Sequence, residues 1–191
     1  EAGPLMLEAR SIKNQDEINC IKMVASIVDG IWYRVWENLK PGIKDTDLSA
    51  LVTETAIAAG AEDAPPGGWL SGPGTFERGF NRTGRILQVG DLVYGSLCAI
   101  TYLGYRSCSY RTFIVGRQPN DQERDWYKTL VERLNRVIDT IRPGATTADA
   151  ALHFPPASTW GYPEEEEVLT IEIGHGIGLV GGYDIPVINR Q

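Results

Sequence analysis

Two amphipathic runs in this chain end in the same way. One closes on Leu39-Lys40-Pro41-Gly42 and passes into Ile43-Lys44-Asp45-Thr46-Asp47-Leu48; the other closes on Ile141-Arg142-Pro143-Gly144 and passes into Ala145-Thr146-Thr147-Ala148-Asp149-Ala150. Pro-Gly stops a helix, and the Thr/Asp cluster behind it supplies side-chain oxygens that cap the next one. The spacing continues to agree, because Gly72-Pro73-Gly74 follows Pro41 at the same offset of 31 positions at which Gly174-His175-Gly176 follows Pro143. A unit of this size used twice is one supersecondary module duplicated. The chain is therefore read as one domain over 1–191, built from half-repeats at about 14–116 and 121–191, with the second incomplete at Gln191.

The elements follow from periodicity. Ile18, Ile21, Val24, Ile27, Val28, Ile31, Trp32, Val35 and Trp36 keep helical spacing and predict a helix over about 14–39, with both tryptophans in the core. A second helix opens at Asp45 or Thr46 and runs to about Ala59, before a turn-rich stretch from Glu62 to Gly68. Ile86-Leu87, Leu92 to Tyr102 and Tyr105 to Val115 read as strands, the last two forming an antiparallel pair around a Leu103-Gly104 turn. Asn120-Asp121 caps a third helix to Ile141 with Trp126, Leu130, Leu134, Val137, Ile138 and Ile141 on one face, and Thr146 or Thr147 opens a short fourth. Val168 to Ile173 is a further strand candidate.

Charge and cysteine usage narrow the function classes. The net charge of −7, with scattered Lys and Arg, argues against nucleic acid or an anionic membrane as a partner. No apolar run approaches the roughly 20 residues needed to span a bilayer. The three cysteines, Cys20, Cys98 and Cys108, have neither disulfide-framework nor zinc-knuckle spacing and read as reduced thiols in a cytoplasmic protein.

The sharpest local constellation is Glu172-Ile173-Gly174-His175-Gly176-Ile177-Gly178, in which glycines bring backbone close on either side of an imidazole able to move protons near neutral pH. Together with Arg10-Ser11-Ile12-Lys13, Asp16-Glu17-Ile18, Leu39-Lys40-Pro41-Gly42, Ser71-Gly72-Pro73, Gly90-Asp91-Leu92-Val93, Gly104-Tyr105, Arg111-Thr112-Phe113 and Val115-Gly116, it makes a chain that resembles the pita-bread superfamily. That superfamily holds methionine aminopeptidases, Xaa-Pro aminopeptidases, prolidases and creatinase. The resemblance implies an α+β fold, a pseudo-twofold repeat of helices packed on a curved antiparallel sheet with the site on the concave face. It also implies a homodimer.

In peptidase members, two metal ions are held by an Asp in the strand after Gly-Asp, a second Asp three residues before Arg-Thr, the glycine-flanked His and two later Glu residues. On this chain the first falls on Ser96, or on Leu97 if the one-residue length difference lies elsewhere; the second falls on Cys108; the two Glu would lie beyond Gln191. Neither Ser nor a neutral Cys supplies the charge that a hard divalent cation requires. Creatinase works without the metal set, although its substrate-side His aligns here with Gly79.

The expectation is thus a metal-independent, creatinase-like hydrolase of a C–N bond in a small polar metabolite, with no cofactor. His175 is its acid/base and Cys108 a candidate nucleophile. Ser96, Tyr110, Arg106, Phe76, Glu77, Arg78, Phe80 and Arg82 are the candidate substrate contacts. Two alternatives stay open: an Xaa-Pro-type aminopeptidase dependent on Mn, Fe, Co or Zn, and a catalytically silent pita-bread module that binds a peptide or protein. A lyase on the same scaffold is compatible too.

Overall fold

The computed structural model describes residues 3–75, 83–165, 173–179 and 184–189. In chain order the elements are α1 (Gly3–Ser11), α2 (Gln15–Asn38), α3 (Asp45–Ala58), β1 (Gly68–Ser71), β2 (Leu92–Tyr102), β3 (Tyr105–Ile114), α4 (Asp121–Thr140), α5 (Thr147–Ala151), β4 (Gly174–Gly176) and β5 (Asp184–Ile188). Turns of 3-10 helix lie at Gly72–Gly74 and Ala157–Trp160. The chain divides into two compact units, Ile12–Gln118 with Ile177–Gly182, and Glu1–Ser11 with Pro119–Gly176 and Tyr183–Gln191.

The first unit is a helix-on-sheet layer. Its long helix α2 starts at a reciprocal cap, in which Asn14 Oδ1 accepts from the Glu17 N–H and Glu17 Oε2 accepts from the Asn14 N–H. The apolar stripe that follows buries Val24, Ile27, Val28, Ile31, Trp32 and Val35, packing against β3, β2 and α3. Trp36 departs from the expected core: it is exposed and packs on Tyr33 at a ring distance of 5.8 Å. Each step of four residues turns the helix by a further ~40°, so the row Val24, Val28, Trp32, Trp36 has left the buried stripe by its last member.

Helix α3 begins at Asp45, yet Asp45 does not cap it. Asp47 instead reaches back to the Lys44 N–H, while Asp45, buried to 2% exposure, anchors the segment before β2. One carboxylate oxygen of Asp45 accepts from the Thr83 N–H and hydroxyl at 3.0 and 2.9 Å, and the other accepts from the Gly84 N–H at 2.9 Å.

The sheet is antiparallel in the order β1-β2-β3. Its helix-facing side carries Val93, Leu97 and Ile100 of β2 and Trp69 of β1, all fully buried. Gly95 shares that side because nothing larger fits: a Cβ there would stand 2.5 Å from Trp69 Cζ3 and 3.0 Å from Trp32 Cη2. β2 and β3 match Leu92↔Ile114 through Cys98↔Cys108, then slip by one residue to Ile100↔Ser107. The extra residue is Ala99, held at φ 75°. This β-bulge keeps both Leu97 and Ile100 in the core while leaving Cys98 and Ala99 less buried. Leu103 and Gly104, at φ 49° and 77°, close the hairpin as a primed turn.

Several expectations change here. β1 follows directly on the turn-rich stretch and, like α1, has no counterpart among the expected elements, and Ile86 makes only an isolated bridge with Lys44 rather than a strand. The two members of the downstream repeat also diverge, since Gly72–Gly74 is a 3-10 turn and Gly174–Gly176 is a strand.

In the second unit, α4 has the same cap as α2, built from Asn120 and Glu123, and α5 repeats it with Thr146 and Asp149. Asp149 is held below the usual carboxylate range, first by the Thr146 N–H and then by the Thr146 hydroxyl. The α4 stripe has the expected spacing, but of its residues only Val137 is buried; Trp126, Leu130, Leu134, Ile138 and Ile141 are exposed. Here β4 pairs with β5, and β5 is contacted by α1 and α5. The strand candidate Val168 to Ile173 lies outside the described residues except for Ile173.

Candidate functional site

Strand alternation sorts the candidates within the first unit. Tyr94, Ser96 and Cys98 of β2 lie opposite Thr112, Tyr110 and Cys108 of β3, on the side of the sheet turned away from Val93, Gly95 and Leu97. Of the residues singled out from sequence, Ser96, Cys108 and Tyr110 are therefore brought together, with Arg106 two positions from Cys108 on the same face. Phe76, Glu77, Arg78, Phe80 and Arg82 lie outside the described residues, as does Gly79.

The cysteines correct the sequence reading. Cys98 and Cys108 are joined by a disulfide across the strand pair, with Cα atoms 4.1 Å apart, and Cys20 is the free thiol. The register explains it: the bulge lies beyond Cys98, so the pairing that puts Leu92 opposite Ile114 runs unbroken to Cys98 opposite Cys108. In the disulfide, Cys108 has no thiol with which to attack a substrate.

Hydroxyl groups surround the two sulfurs. Ser96 Oγ lies 3.3 Å from Cys98 Sγ, and the Tyr110 hydroxyl donates towards Cys98 Sγ at 3.4 Å and Cys108 Sγ at 3.6 Å. The Tyr110 ring stacks on Tyr94 at a centroid distance of 5.7 Å, with planes within 2°. Burial, and secondarily the neighbouring Tyr110, push the Tyr94 phenol up to about 12, so it is neutral throughout the physiological range. Tyr94 and Cys98 were missed in the sequence although the signal was present: alternation with Val93, Gly95 and Leu97 places both on the Ser96 face.

Around this face the backbone is braced. Arg111, on the opposite side of β3, places its guanidinium 5.8 Å from the Trp32 ring centre, and the Trp32 indole N–H donates to Ser109 Oγ at 2.8 Å. The Arg106 N–H donates to Gly178 O at 3.0 Å. At the start of β2, Asp91 accepts from both Arg85 guanidinium nitrogens and from the Gln88 N–H. Burial opposes charge on Asp91, but the Arg85 and Gln88 hydrogen bonds and the Arg85 charge prevail and hold its carboxyl below the ordinary range. Gly72, at φ 58°, sits against this pair; a Cβ there would come within 2.7 Å of the Arg85 guanidinium.

His175 belongs to the second unit, in β4 opposite Val187. Its Nδ1 lies 2.6 Å from Gly176 O; a carbonyl oxygen only accepts, so this contact is made by the tautomer that carries hydrogen on Nδ1. Among the described residues, a Cβ on Gly174 would meet Ile188 Cδ1 at 3.7 Å, ordinary contact. His153, not singled out from sequence, lies 2.7 Å from Thr140 Oγ1 through Nε2. It lines a cavity of about 410 Å³ with Arg133, Leu152 and Phe154.

Comparison with known proteins places these observations in a family. Residues 19–190 match Metallopeptidase family M24. The chain is 28% identical over 180 residues to a probable dipeptidase PepE of Mycobacterium tuberculosis, covering 93% of this chain and 47% of that protein. It is 26% identical over 204 residues to an Xaa-Pro dipeptidase of Pyrococcus horikoshii, covering 96% and 53%. Among solved structures, the prolidase from Pyrococcus furiosus superposes with a TM-score of 0.82 at 25% identity, covering 98% of this chain and 54% of that one. The chain thus spans about half the length of these relatives, and its α+β architecture is the pita-bread fold.

The match overturns the expectation of a cofactor-free site, because the family is one of metallopeptidases. The described residues do not fit such a metal. Among them no group of three or more His, Cys, Asp or Glu side chains could hold an ion, and the β2–β3 face presents an uncharged cystine and a Ser hydroxyl where hard cations need anionic oxygen. No chemical step is therefore routed through a metal here.

Proposed function

This chain belongs to metallopeptidase family M24, and from that premise we propose that it forms part of a divalent-metal-dependent hydrolase of short peptides, of the Xaa-Pro dipeptidase or aminopeptidase type. The observation that carries this reading is the family match over residues 19–190, supported by relatives named as dipeptidases and Xaa-Pro dipeptidases. It replaces creatinase-like hydrolysis of a small metabolite as the leading reading.

In this proposal His175 is the acid/base imidazole, its Nδ1 held against Gly176 O. Tyr94, Ser96 and Tyr110 orient the peptide by hydroxyl donation. Residues 14–116 and 121–191 are the two half-repeats, and the protein is a cytoplasmic homodimer. No described helix is long and apolar enough to cross a membrane.

The test is hydrolysis of Xaa-Pro dipeptides by the purified protein, stripped with chelator and reloaded with Mn²⁺ or Co²⁺, with metal content read by elemental analysis. Activity should return only with metal, and His175→Ala should lower it by about 10²-fold or more. Protein that takes up no metal and cleaves no dipeptide would overturn the reading.

A further inference from the structure

The cystine on the β2–β3 face has features that a purely structural cross-link does not need. Both cysteines are only partly buried, and two hydroxyls lie within 3.3–3.6 Å of the sulfurs. Ala99, directly beside Cys98, has φ 75°, a left-handed conformation in which its Cβ crowds the following carbonyl oxygen. Strain of this kind and β-bulges cluster at functional sites, and here both lie beside a partly buried cystine.

We propose that Cys98 and Cys108 are a redox-active pair, cycling between disulfide and dithiol by exchange with a small thiol or a dithiol protein. The attacking thiolate adds to Cys108 Sγ as the Cys98–Cys108 bond breaks, and the electron pair leaves on Cys98 Sγ. A second thiol then attacks the mixed disulfide, releasing Cys108 as a thiol and the reductant as its own disulfide; two thiols are oxidised for the one cystine reduced. The direction of attack follows from the hydroxyls. Cys98 Sγ has both Ser96 and Tyr110 beside it, so charge developing there is stabilised by two donors, against one at Cys108.

Opening the bond removes the covalent clasp between the two strands and leaves the Tyr110 hydroxyl beside two thiols. The shape and polarity of the face carrying Tyr94, Ser96 and Tyr110 thereby become tied to the thiol balance around the protein.

The test needs no substrate and stands apart from the peptidase reading. Protein purified without reductant is alkylated in its folded state and the labelled positions are read by mass spectrometry, before and after equilibration in glutathione buffers of graded ratio. The expected result is label on Cys20 alone before reduction and on all three cysteines after it, with the fold retained by circular dichroism and the bond re-forming in oxidised buffer. Tyr110→Phe should slow reduction roughly fivefold to tenfold; should that variant fail to fold, Ser96→Ala tests the same charge stabilisation. Full labelling of Cys98 and Cys108 in protein purified without reductant would overturn the proposal, as would a bond that resists glutathione until denaturant is added or unchanged rates in the folded variants.

Discussion

Asp45 shows how one side chain holds two distant segments in place. Its three acceptor contacts are to Thr83 and Gly84, and at 2% exposure the carboxylate has no water to replace them. Asp45→Ala should therefore cost on the order of 2–3 kcal/mol, read as a lower urea midpoint at unchanged slope; a loss below ~0.5 kcal/mol would show that the contacts are dispensable. The sequence reading had Asp45 or Thr46 opening a helix, because a Thr/Asp cluster after Pro-Gly is a cap signal and nothing local points 38 positions ahead. Asp91 gives a pH signature instead. Its folded carboxyl lies below its unfolded value of ~3.9, so its contribution is full above that value and lost as pH falls through the depressed one. Chemical denaturation at pH 7, 4 and 2 should show wild type losing more stability than Asp91→Asn on acidification.

At the scale of elements, the Asn120 cap and the β2–β3 hairpin were read from the sequence because their signals are local, and the Asn14 cap has the same form. Asn14 with Glu17, and Asn120 with Glu123, each satisfy two orphan helix N–H groups within four residues. The bounds of β2 and the start of β3 follow the alternation and the Leu103-Gly104 turn. The cystine was not legible, since it depends on which residues of β2 and β3 face each other, and the bulge that sets the slip has no sequence mark. Ala99 looks like any strand alanine. At φ 75°, however, Ala99→Gly relieves left-handed strain that outweighs the added chain entropy, and a gain of roughly 0.5–1 kcal/mol is expected. A loss of stability in the oxidised protein would argue that the alanine methyl packs usefully.

The two units differ in how far their helices are covered. α2 buries six residues of its stripe, whereas α4, with equal regularity of spacing, buries Val137 alone. Periodicity announces that a face is apolar; it does not say what lies against it, so this difference was outside the reach of the sequence. Native-state hydrogen exchange should accordingly find the slowest amides in α2 and β2, with α4 opening at lower free energy. Equal protection in α4 would mean that its face is covered in solution. The family assignment, by contrast, was readable from ordered short motifs, while the metal was misjudged because β2 and β3 carry Ser96 and a cysteine where acids were sought.

The cross-strand cystine has a mechanical consequence as well. While the bond is closed, residues 98–108 form a ring that tension on the chain ends cannot open, because the load passes through the sulfurs rather than through the hairpin turn. Ten residues of backbone are thereby withdrawn from the extensible length, about 30 Å at the reach of an extended chain once the span of the bridge is allowed for. The oxidised and reduced forms are thus two strings of different length with the same sequence, and a pulling experiment could read the state of one bond from the end of the chain.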